Sequence, residues 1–456
     1  MNKNIKELIG SYLYDKLNIN DKTNYVIETI HAKKLITYQR FDIISKYMYL
    51  LYKEKKINSD LAMQIYKEHI SIFSEGKFYE PGSDTKKDFK AFIKEFNVLF
   101  DNIKRKGFDD KVSLIPVGKD YSIIDGGHRV AIAAYLNLNI KIIRFTDIEG
   151  AKYDYNYFKK REMNELYLDY LALNYTYINT DNMYVMCLWP SATRYKKDKD
   201  VEKIIHKYCH IFYKKSIKLD YKTLTNLITQ VYLDQSWIGK PENKFSGVIK
   251  KVNACYHDSN TLFYFLEGNN LKNILKMKDE IRKLYKMGKH SVHITDSREE
   301  ATQLANLILN ENSVHHLKYS NSLKFINDYK KITSTVQNND TIFNPEFTLS
   351  TYGIKSTTLS ENYLINQTQL KFDICYDFRN YFYYMNKKFL VPNRAKELSN
   401  PEQANYYNKI INMKEIRIFK SLYKHLTKFK YYIKTAIIRI LREMKLLDFV
   451  SKIFRR

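Results

Sequence analysis

Two histidines stand three residues apart, directly before a predicted helix, in the segment HSVHITDSREEA over residues 290–301. The alternation of Val292 and Ile294 predicts a short strand, and in an extended chain His290 and His293 cannot easily share one metal ion. His293 is expected beside the free N–H groups of the helix start. A neutral imidazole there can accept a phosphoryl group or act as an acid or base, because the helix dipole stabilises added negative charge. The alternative is a structural histidine at a strand end.

The helix after this strand begins with a capping pattern. Asp296 or Ser297 is predicted to cap the helix, and Glu299 or Glu300 is predicted to reach back to it. Such a box fixes the turn between strand and helix. It would therefore also fix the position of His293.

A second group of residues that could do chemistry is the sequence DGGHR, between a predicted strand ending at Ile124 and a helix. Glycines at this place let backbone N–H groups approach a ligand, and histidine and arginine add donors for an anion. The motif predicts a phosphate cradle; the alternative is an ordinary Gly-Gly turn followed by a surface arginine. Its residues are Asp125, Gly126, Gly127, His128 and Arg129.

The elements that position these residues alternate between helix and strand. Apolar residues at helical spacing predict an all-helical region at the N-terminus, and turn signals then introduce a compact α/β unit. Further along, strands and helices alternate around a predicted loop over residues 236–258, which predicts a sheet covered by helices. We expect an α/β multidomain protein built from α+β units, with a helical region 1–75, an α/β unit 76–150, a helical connector 151–181, a sheet domain 182–318, a mixed region 319–413 and a tail 414–456.

Composition restricts the class of partner. The sequence has 76 Lys and Arg residues against 50 Asp and Glu residues, so its net charge is 76 − 50 = +26. This charge favours nucleic acid, an anionic membrane surface or a phosphorylated substrate as the partner. The four cysteines form no CxxC pair, so neither a zinc ribbon nor a disulfide framework is predicted. The N-terminus lacks a signal-peptide core and no apolar run reaches the length of a membrane span. We therefore expect a cytoplasmic protein.

The last 43 residues form a basic amphipathic segment. Residues 414–456 contain 13 Lys or Arg against three acidic residues, which is 10 of the 26 net positive charges, and their apolar residues step by three and four. A helix of this kind can lie in the interface of an anionic membrane. Peripheral association with a membrane is one expectation, and packing on the protein itself is the other.

The segment SLIPVGKDYSIIDGGHRVAIAA resembles the ParB/sulfiredoxin superfamily, over about residues 76–150. The resemblance implies a nucleotide-binding unit in which DGGHR holds phosphate groups. Gly127 stands where sulfiredoxins carry a catalytic cysteine, so sulfiredoxin chemistry is excluded. Some members of the superfamily are small-molecule kinases with a carboxylate upstream of the motif as general base, for which Glu80 and Asp125 are candidates. A turn carboxylate in water is the alternative for Glu80.

Residues 183–309 resemble a nucleoside diphosphate kinase domain, of ferredoxin-like fold, in the order of their elements and in the segment around His293. In that family the histidine of this segment is phosphorylated during turnover. The resemblance implies that His293 is the nucleophile and that Arg282 binds phosphate. Thr295, Asp296 and Ser297 would form the cap of the following helix.

The chain departs from this family at three places. The family's Lys-Pro-Asp turn is Trp189-Pro190-Ser191 here, its asparagine is His290, and its supporting carboxylate falls near Leu304. We therefore expect a related phospho-group transfer, or a non-catalytic remnant, rather than ordinary exchange of the nucleotide γ-phosphate. The predicted loop offers further cations that would gather phosphate or remain solvated, namely Lys240, Lys250 and Lys251.

Residues 347–398 resemble the nucleotidyltransferase-like tails of proteins from bacterial capsule and surface-polysaccharide loci, but only Glu361 stands where an active enzyme needs paired carboxylates for metal ions. The whole chain resembles such proteins, which are often labelled sugar transferases. The resemblance implies transfer of a phosphoryl or substituted phosphoryl group, such as a phosphoramidate, to a sugar hydroxyl. The donor would be a nucleotide, ATP or CDP-linked, with Mg²⁺. The alternatives are a ParB-like nucleic-acid-binding protein and a non-catalytic scaffold of a polysaccharide assembly complex.

Overall fold

The computed structural model describes residues 5–20, 22–54, 60–80, 85–110, 114–243, 245–334, 342–343, 351 and 378–390. The predictions for the tail 414–456 and for Glu361 lie outside these residues. Within them the chain is a mixed α+β protein with three small sheets, which confirms the expected fold class.

The N-terminal part combines a three-stranded sheet with helices. Its elements are α1 (Ile5–Ile9), α2 (Ser11–Lys16), β1 (Tyr25–His31), α3 (Phe41–Glu54), α4 (Leu61–Phe73), α5 (Phe89–Lys106), β2 (Ile115–Val117), α6 (Gly127–Tyr135), β3 (Asn139–Phe145), α7 (Tyr155–Lys159) and α8 (Glu165–Ile178). The strand order is β1-β3-β2, with β1 antiparallel and β2 parallel to β3. The strands β2 and β3, on either side of DGGHR in the sequence, thus share a sheet with β1 from the predicted N-terminal helical region.

The expectation of an all-helical region over residues 1–75 is wrong at β1. Its sequence, YVIETIH, is rich in the β-branched residues that favour strands. The hydrogen bonds that fix the strand come from β3, more than a hundred residues later, with Tyr25 opposite Phe145 and His31 opposite Asn139. The spacing of apolar residues within a short segment cannot predict a pairing with a strand so far away in the sequence. The strand predicted to end at Ile124 is reduced to a single bridge between Val117 and Ile123.

Most of the segment DFKAFIKEFNVLFDNIKRKGF forms helix α5. Asp88 caps it by accepting a hydrogen bond from the backbone N–H of Ala91 at 2.8 Å, and Gly107, with a φ of 81°, ends it. Phe92, Phe96 and Phe100, four residues apart, bury one face in the main core. This helix forms part of the wall over the DGGHR turn.

The central part is built on a four-stranded sheet. Its elements are β4 (Met183–Leu188), α9 (Pro190–Thr193), α10 (Asp198–Ile205), β5 (His210–Ile217), α11 (Tyr221–Val231), α12 (Ser246–Cys255), β6 (Thr261–Glu267), α13 (Leu271–Tyr285), β7 (Val292–Ile294) and α14 (Arg298–Leu309). The strand order is β5-β6-β4-β7 and every neighbouring pair is antiparallel. Two β-α-β crossovers therefore interleave in one sheet, with α10 in the first and α13 in the second.

Both faces of this sheet are covered. Along β4, Val185 and Cys187 belong to the main core, whereas Tyr184, Met186 and Leu188 belong to a second core that includes residues of α10 and α13. The strand is buried at all six positions, because side chains alternate between two covered faces. The face of Cys187 carries the candidate histidine.

Two predictions within this part are corrected. The predicted loop over residues 236–258 contains α12, whose buried residues Val248, Val252 and Cys255 follow helical spacing. Lys250 and Lys251 between those residues, and Gly247 just before them, conceal the pattern in the sequence. The strand expected at residues 290–294 is shorter, because His290 ends a 3₁₀ turn over Gly288–His290.

The C-terminal part packs on the central one. Its described elements are α15 (Glu311–Tyr319), α16 (Ile326–Ser334), β8 (Ile342–Phe343), β9 (Tyr381–Tyr384) and β10 (Lys387–Leu390). The side-chain amide of Asn310 donates to the carbonyls of Phe378 at 3.0 Å and Tyr381 at 3.2 Å, which anchors the β9–β10 hairpin. One hydrophobic core runs from residue 32 to residue 389 and crosses the predicted domain boundaries.

None of the helices in the described part of the chain is long and apolar enough to cross a membrane.

Candidate functional site

His293 lies in the middle of β7, at the edge of the central sheet. Its cross-strand partner on β4 is Cys187, so both side chains project from the same face, where only 8% of His293 is exposed. The ring of Tyr232 meets the imidazole edge to face, with 5.1 Å between ring centroids. The histidine is thus held by packing on a strand and not on a loop.

The turn after β7 is closed by the predicted capping box. The hydroxyl of Ser297 accepts from the backbone N–H of Glu300 at 3.2 Å, and the carboxylate of Glu300 accepts from the backbone N–H of Asp296 at 2.8 Å. Ser297 is therefore the cap, and of the two predicted glutamates Glu300 is the one that reaches back. Thr295 has a different role, because its hydroxyl accepts from the backbone N–H of Val185 at 3.0 Å and ties β7 to β4.

Replacing Ser297 with alanine is expected to lower the free energy of unfolding by about 1 kcal/mol, because the N–H of Glu300 loses its acceptor. Urea denaturation of the whole protein measures this difference. Glycine at the same position should cost only a few tenths of a kcal/mol. An equal loss for both variants would show that Ser297 acts through something other than the cap.

Cations surround the cavity in front of His293. The cavity measures about 710 Å³. Its basic residues come from α12, α13 and the turn before β7, and they are Lys250, Lys251, Lys278, Arg282 and Lys289. Two carboxylates, of Asp296 and Glu300, also line it. Five basic side chains against two acidic ones leave an excess of three positive charges, which suits a ligand with several phosphate charges.

The two lysines nearest the imidazole are themselves buried. Lys278 donates to the carbonyl of Ile294 at 3.2 Å and to a carboxylate oxygen of Asp296 at 3.1 Å. Lys251 donates to the carbonyl of Lys289, and its ammonium lies 6.0 Å from the centroid of the Trp189 ring. Lys251, from α12, therefore places a cation at the wall of the cavity.

Burial is the main cause that lowers the pKa of His293, to about 3, and repulsion from Lys278, Lys251 and Arg282 lowers it further. The imidazole is therefore neutral near pH 7, the form that is nucleophilic towards phosphorus. Two buried nitrogens at the cavity, Nε of Arg282 and Nδ1 of His290, have no hydrogen-bond partner among the residues that the structure describes. A bound anion could accept from the Arg282 nitrogen.

The low pKa of His293 makes stability depend on pH. The folded state keeps the imidazole neutral down to about pH 3, whereas the unfolded chain takes up a proton near pH 6.5. The unfolded state therefore binds more protons in this window, and the free energy of unfolding should fall by about 1.4 kcal/mol per pH unit from this residue as the pH drops below 6.5. Urea denaturation at several pH values should give a shallower dependence for His293→Gln, and an unchanged dependence would contradict the buried neutral imidazole.

Only some of the residues that the sequence predicts for this site line the cavity. His293, Arg282 and Asp296 line it, as do Lys250 and Lys251, and Lys240 does not. Leu304, which stands where the resemblance would place a supporting carboxylate, is buried in the main core.

Three residues at this cavity were missed by the sequence reasoning: Glu300 as the nearby carboxylate, Lys278, and Tyr232. Burial raises the pKa of the Glu300 carboxyl. Lys278 stands four residues before Arg282 on α13, a spacing that places both on one face of the helix. The sequence held that signal, whereas the position of Tyr232 at the end of α11 depends on tertiary packing.

The DGGHR motif lies in a separate cleft of about 510 Å³ in the N-terminal part. Helix α6 begins at Gly127, and Gly126 adopts a left-handed φ of 88°. A β-carbon at Gly126 would lie 2.9 Å from the guanidinium of Arg129, so a glycine is required there. The cleft is lined by all five motif residues and by Glu80, as the predicted cradle requires.

A buried ionic cluster forms the floor of this cleft, and the sequence reasoning missed it. Arg40 donates twice to the carboxylate of Asp42, at 2.7 and 2.8 Å, and Lys46 donates to the same carboxylate at 2.9 Å. His69 lies beside them, with Nε2 3.4 Å from the Lys46 ammonium. All four side chains are nearly inaccessible to solvent. Buried charges are costly, so such a cluster at a cleft indicates a functional or organising role.

The cluster supports the Gly126–Gly127 turn directly. A β-carbon at Gly127 would lie 3.4 Å from side-chain atoms of Arg40, Asp42 and Lys46. Arg40 also donates to the carbonyl of Ile123, just before the motif. Burial alone would raise the pKa of Asp42, but the charges of Arg40 and Lys46 outweigh it and hold that pKa well below its usual value.

The remaining motif residues differ in exposure and partners. His128 shares a hydrogen bond of 2.8 Å with the hydroxyl of Tyr66, and burial lowers the pKa of its imidazole. Burial also lowers the pKa of Arg129, against the attraction of Asp125. Asp125 is exposed, and Glu80 forms an ion pair with Lys86.

Comparison with known proteins adds little to this geometry. No protein-family model and no curated protein matches the chain. Among solved structures, the nucleoside diphosphate kinase of Aquifex aeolicus in an orthorhombic crystal form is similar, with 16% identity over 26% of this chain and 89% of that one, at a TM-score of 0.20.

Proposed function

We propose that the protein is a phosphotransferase that uses His293 as a covalent carrier. The observation that carries this proposal is a buried, neutral histidine in a cavity lined by five basic side chains. A nitrogen of the imidazole would attack the transferred phosphorus of a nucleotide. The N–P bond forms as the bond to the leaving nucleotide oxygen breaks, and that oxygen keeps the electron pair.

The second step regenerates the free imidazole of His293. A hydroxyl of the acceptor attacks the phosphorus, an O–P bond forms, and the N–P bond breaks with its electron pair returning to nitrogen. The hydroxyl proton passes to solvent or to Glu300, the carboxylate at the cavity whose pKa is raised by burial. The bound phosphoryl group would be stabilised by the basic side chains of Lys251, Lys278 and Arg282, which line the same cavity.

The donor and acceptor classes follow from the chemistry of the cavity and from the resemblance of the chain. A nucleotide donor suits the excess of positive charge and the Trp237 ring, which lines the cavity and is 43% exposed. A sugar hydroxyl of a capsule or other surface polysaccharide is the acceptor that the resemblance implies. Mg²⁺ is expected as the counter-ion of the nucleotide phosphates. The described residues offer no group of three or more His, Cys, Asp or Glu side chains that could hold a metal themselves.

A labelling and chase experiment tests the proposal. The protein is incubated with γ-labelled and β-labelled ATP, GTP, CTP and UTP, and with CDP labelled at its β-phosphate, then treated with acid or base. A phosphohistidine is labile in acid and stable in base, so the label should survive only base. It should leave the protein when monosaccharides or capsular oligosaccharides are added. Acid-stable label, or no label from any of these nucleotides, would contradict the covalent route.

A further inference from the structure

The cleft at Gly126–Gly127 continues into an outer cavity, which has no part in the function proposed for His293. The outer cavity measures about 600 Å³ and lies between the α1–α2 hairpin and the turn at residues 149–151. Seven residues line both this cavity and the inner cleft: Tyr12, Lys16, Glu80, Lys86, Ile124, Asp125 and Tyr153. The two spaces therefore form one groove, with these residues at the boundary between its halves.

The inner half of the groove is positively charged. Arg40 and Lys46 share one carboxylate, that of Asp42, so the buried cluster keeps one positive charge in excess. The N-terminus of α6 and Arg129 face the same space. Of the polar atoms around it, Nδ1 of His69 is buried and has no hydrogen-bond partner among the described residues, and His69 itself is only 1% exposed. An anionic group fits this half.

The boundary between the halves carries charges of both signs. The carboxylates of Glu80 and Asp125 line it together with the ammonium groups of Lys16 and Lys86, and Lys86 is the ion-pair partner of Glu80. Hydroxyl groups both donate and accept, so they form charge-assisted hydrogen bonds with carboxylates and with ammonium groups alike. The part of a ligand that crosses the boundary should therefore be rich in hydroxyls.

The outer half offers an aromatic surface beside apolar and polar groups. The Tyr12 side chain is 57% exposed, with the ammonium of Lys16 over its ring at 5.5 Å from the centroid. Ser11 adds a hydroxyl to the same wall, and Leu13 and Leu17 add apolar surface. The apolar C–H face of a sugar ring packs on an exposed tyrosine while its hydroxyls reach polar neighbours.

We propose that this groove binds a phosphorylated sugar, with the phosphate at Gly126–Gly127, ring hydroxyls at Glu80 and Asp125, and the remainder of the sugar on Tyr12. The hairpin α1–α2 supplies the outer subsite, and the buried cluster under Gly127 supplies the phosphate subsite. The site is separate from His293. The inference therefore does not depend on covalent chemistry at that residue.

Isothermal titration of the full-length protein tests the proposal with inorganic phosphate, glucose 1-phosphate, ribose 5-phosphate and CMP. A sugar phosphate should bind at least about tenfold more tightly than inorganic phosphate. Tyr12→Ala should weaken the affinity for the sugar phosphate about tenfold and leave the affinity for inorganic phosphate unchanged. Asp125→Asn should weaken sugar phosphate more than inorganic phosphate. Tyr25→Ala, at an exposed tyrosine of β1 outside the lining of both cavities, is the matched control and should change neither affinity.

The results distinguish a sugar phosphate from inorganic phosphate and from CMP, and they distinguish the groove from the cavity at His293. A sugar phosphate whose affinity falls in Tyr12→Ala and persists in His293→Gln supports the outer subsite. Equal affinity for inorganic phosphate and both sugar phosphates overturns it, and so does a Tyr12→Ala variant that weakens every probe alike. CMP binding more tightly than both sugar phosphates would overturn the sugar assignment in favour of a nucleobase on Tyr12. Loss of all sugar-phosphate binding in His293→Gln would place the ligand in the other cavity.

Discussion

His293→Gln is expected to reduce covalent labelling by nucleotides by on the order of 10³-fold or more, the scale of loss when a nucleophile is removed. Glutamine keeps a polar side chain of similar length on β7 but has no nitrogen that can carry a phosphoryl group. The fold should persist, because a neutral residue replaces a neutral imidazole at a buried position. Label incorporated per mole of protein measures the effect, and circular dichroism checks the fold.

The matched control is His290→Gln, three residues earlier and at the same cavity. His290 ends a 3₁₀ turn and does not lie on β7. Its replacement should change the affinity for the nucleotide at most and leave the labelled fraction at saturation intact. Equal losses in the two variants would mean that the cavity needs both imidazoles and that His293 is not the sole carrier.

Asp42→Ala is expected to lower the free energy of unfolding by about 3–5 kcal/mol, because Arg40 and Lys46 would be left buried without their shared partner. That loss is a large share of the 5–15 kcal/mol typical of a folded domain. Urea denaturation measures it, with the slope checked for a change in the unfolded state. Lys46→Met provides a second test, for the case in which Asp42→Ala does not accumulate in folded form.

Lys46→Met should cost much less than Asp42→Ala, because the two bonds between Arg40 and Asp42 remain and the buried excess charge is removed. Burial already lowers the pKa of the Lys46 ammonium, so its charge is the most weakly held of the three. Glu149→Ala, at an exposed ion pair with Lys152, should change stability little. A loss for Lys46→Met as large as that for Asp42→Ala would contradict the assignment of Asp42 as the centre of the cluster.

Local chemistry explains what the sequence predicted well. The capping signal at Ser297 depends on residues three apart, and the Gly126–Gly127 turn marks the start of α6 within two residues. DGGHR and the segment around His293 were singled out for the same reason, since each is marked by its immediate neighbours, whereas Arg282 was singled out through the resemblance. The alternation of helices and strands also predicted the central sheet.

Long-range packing explains what the sequence did not show. β1 exists because β3 pairs with it, and the cluster of Arg40, Asp42, Lys46 and His69 combines α4 with the start of α3 and the residue before it. Nothing in the local sequence RFDIISK distinguishes a buried ionic cluster from the solvated face of a helix. Likewise, Lys251 lies over the ring of Trp189 only in the folded chain, because the two residues are more than sixty positions apart in the sequence.

The most direct test of a covalent carrier is to map the phosphoryl group in the protein. After incubation with the nucleotide that gives most label, the protein is digested under basic conditions and its peptides are fragmented by electron transfer in a mass spectrometer. We expect the added phosphoryl group on His293, in the peptide from the turn at Gly288 through β7 into α14. Its location on any other residue, or unmodified His293 in protein that carries label, would contradict the proposed mechanism.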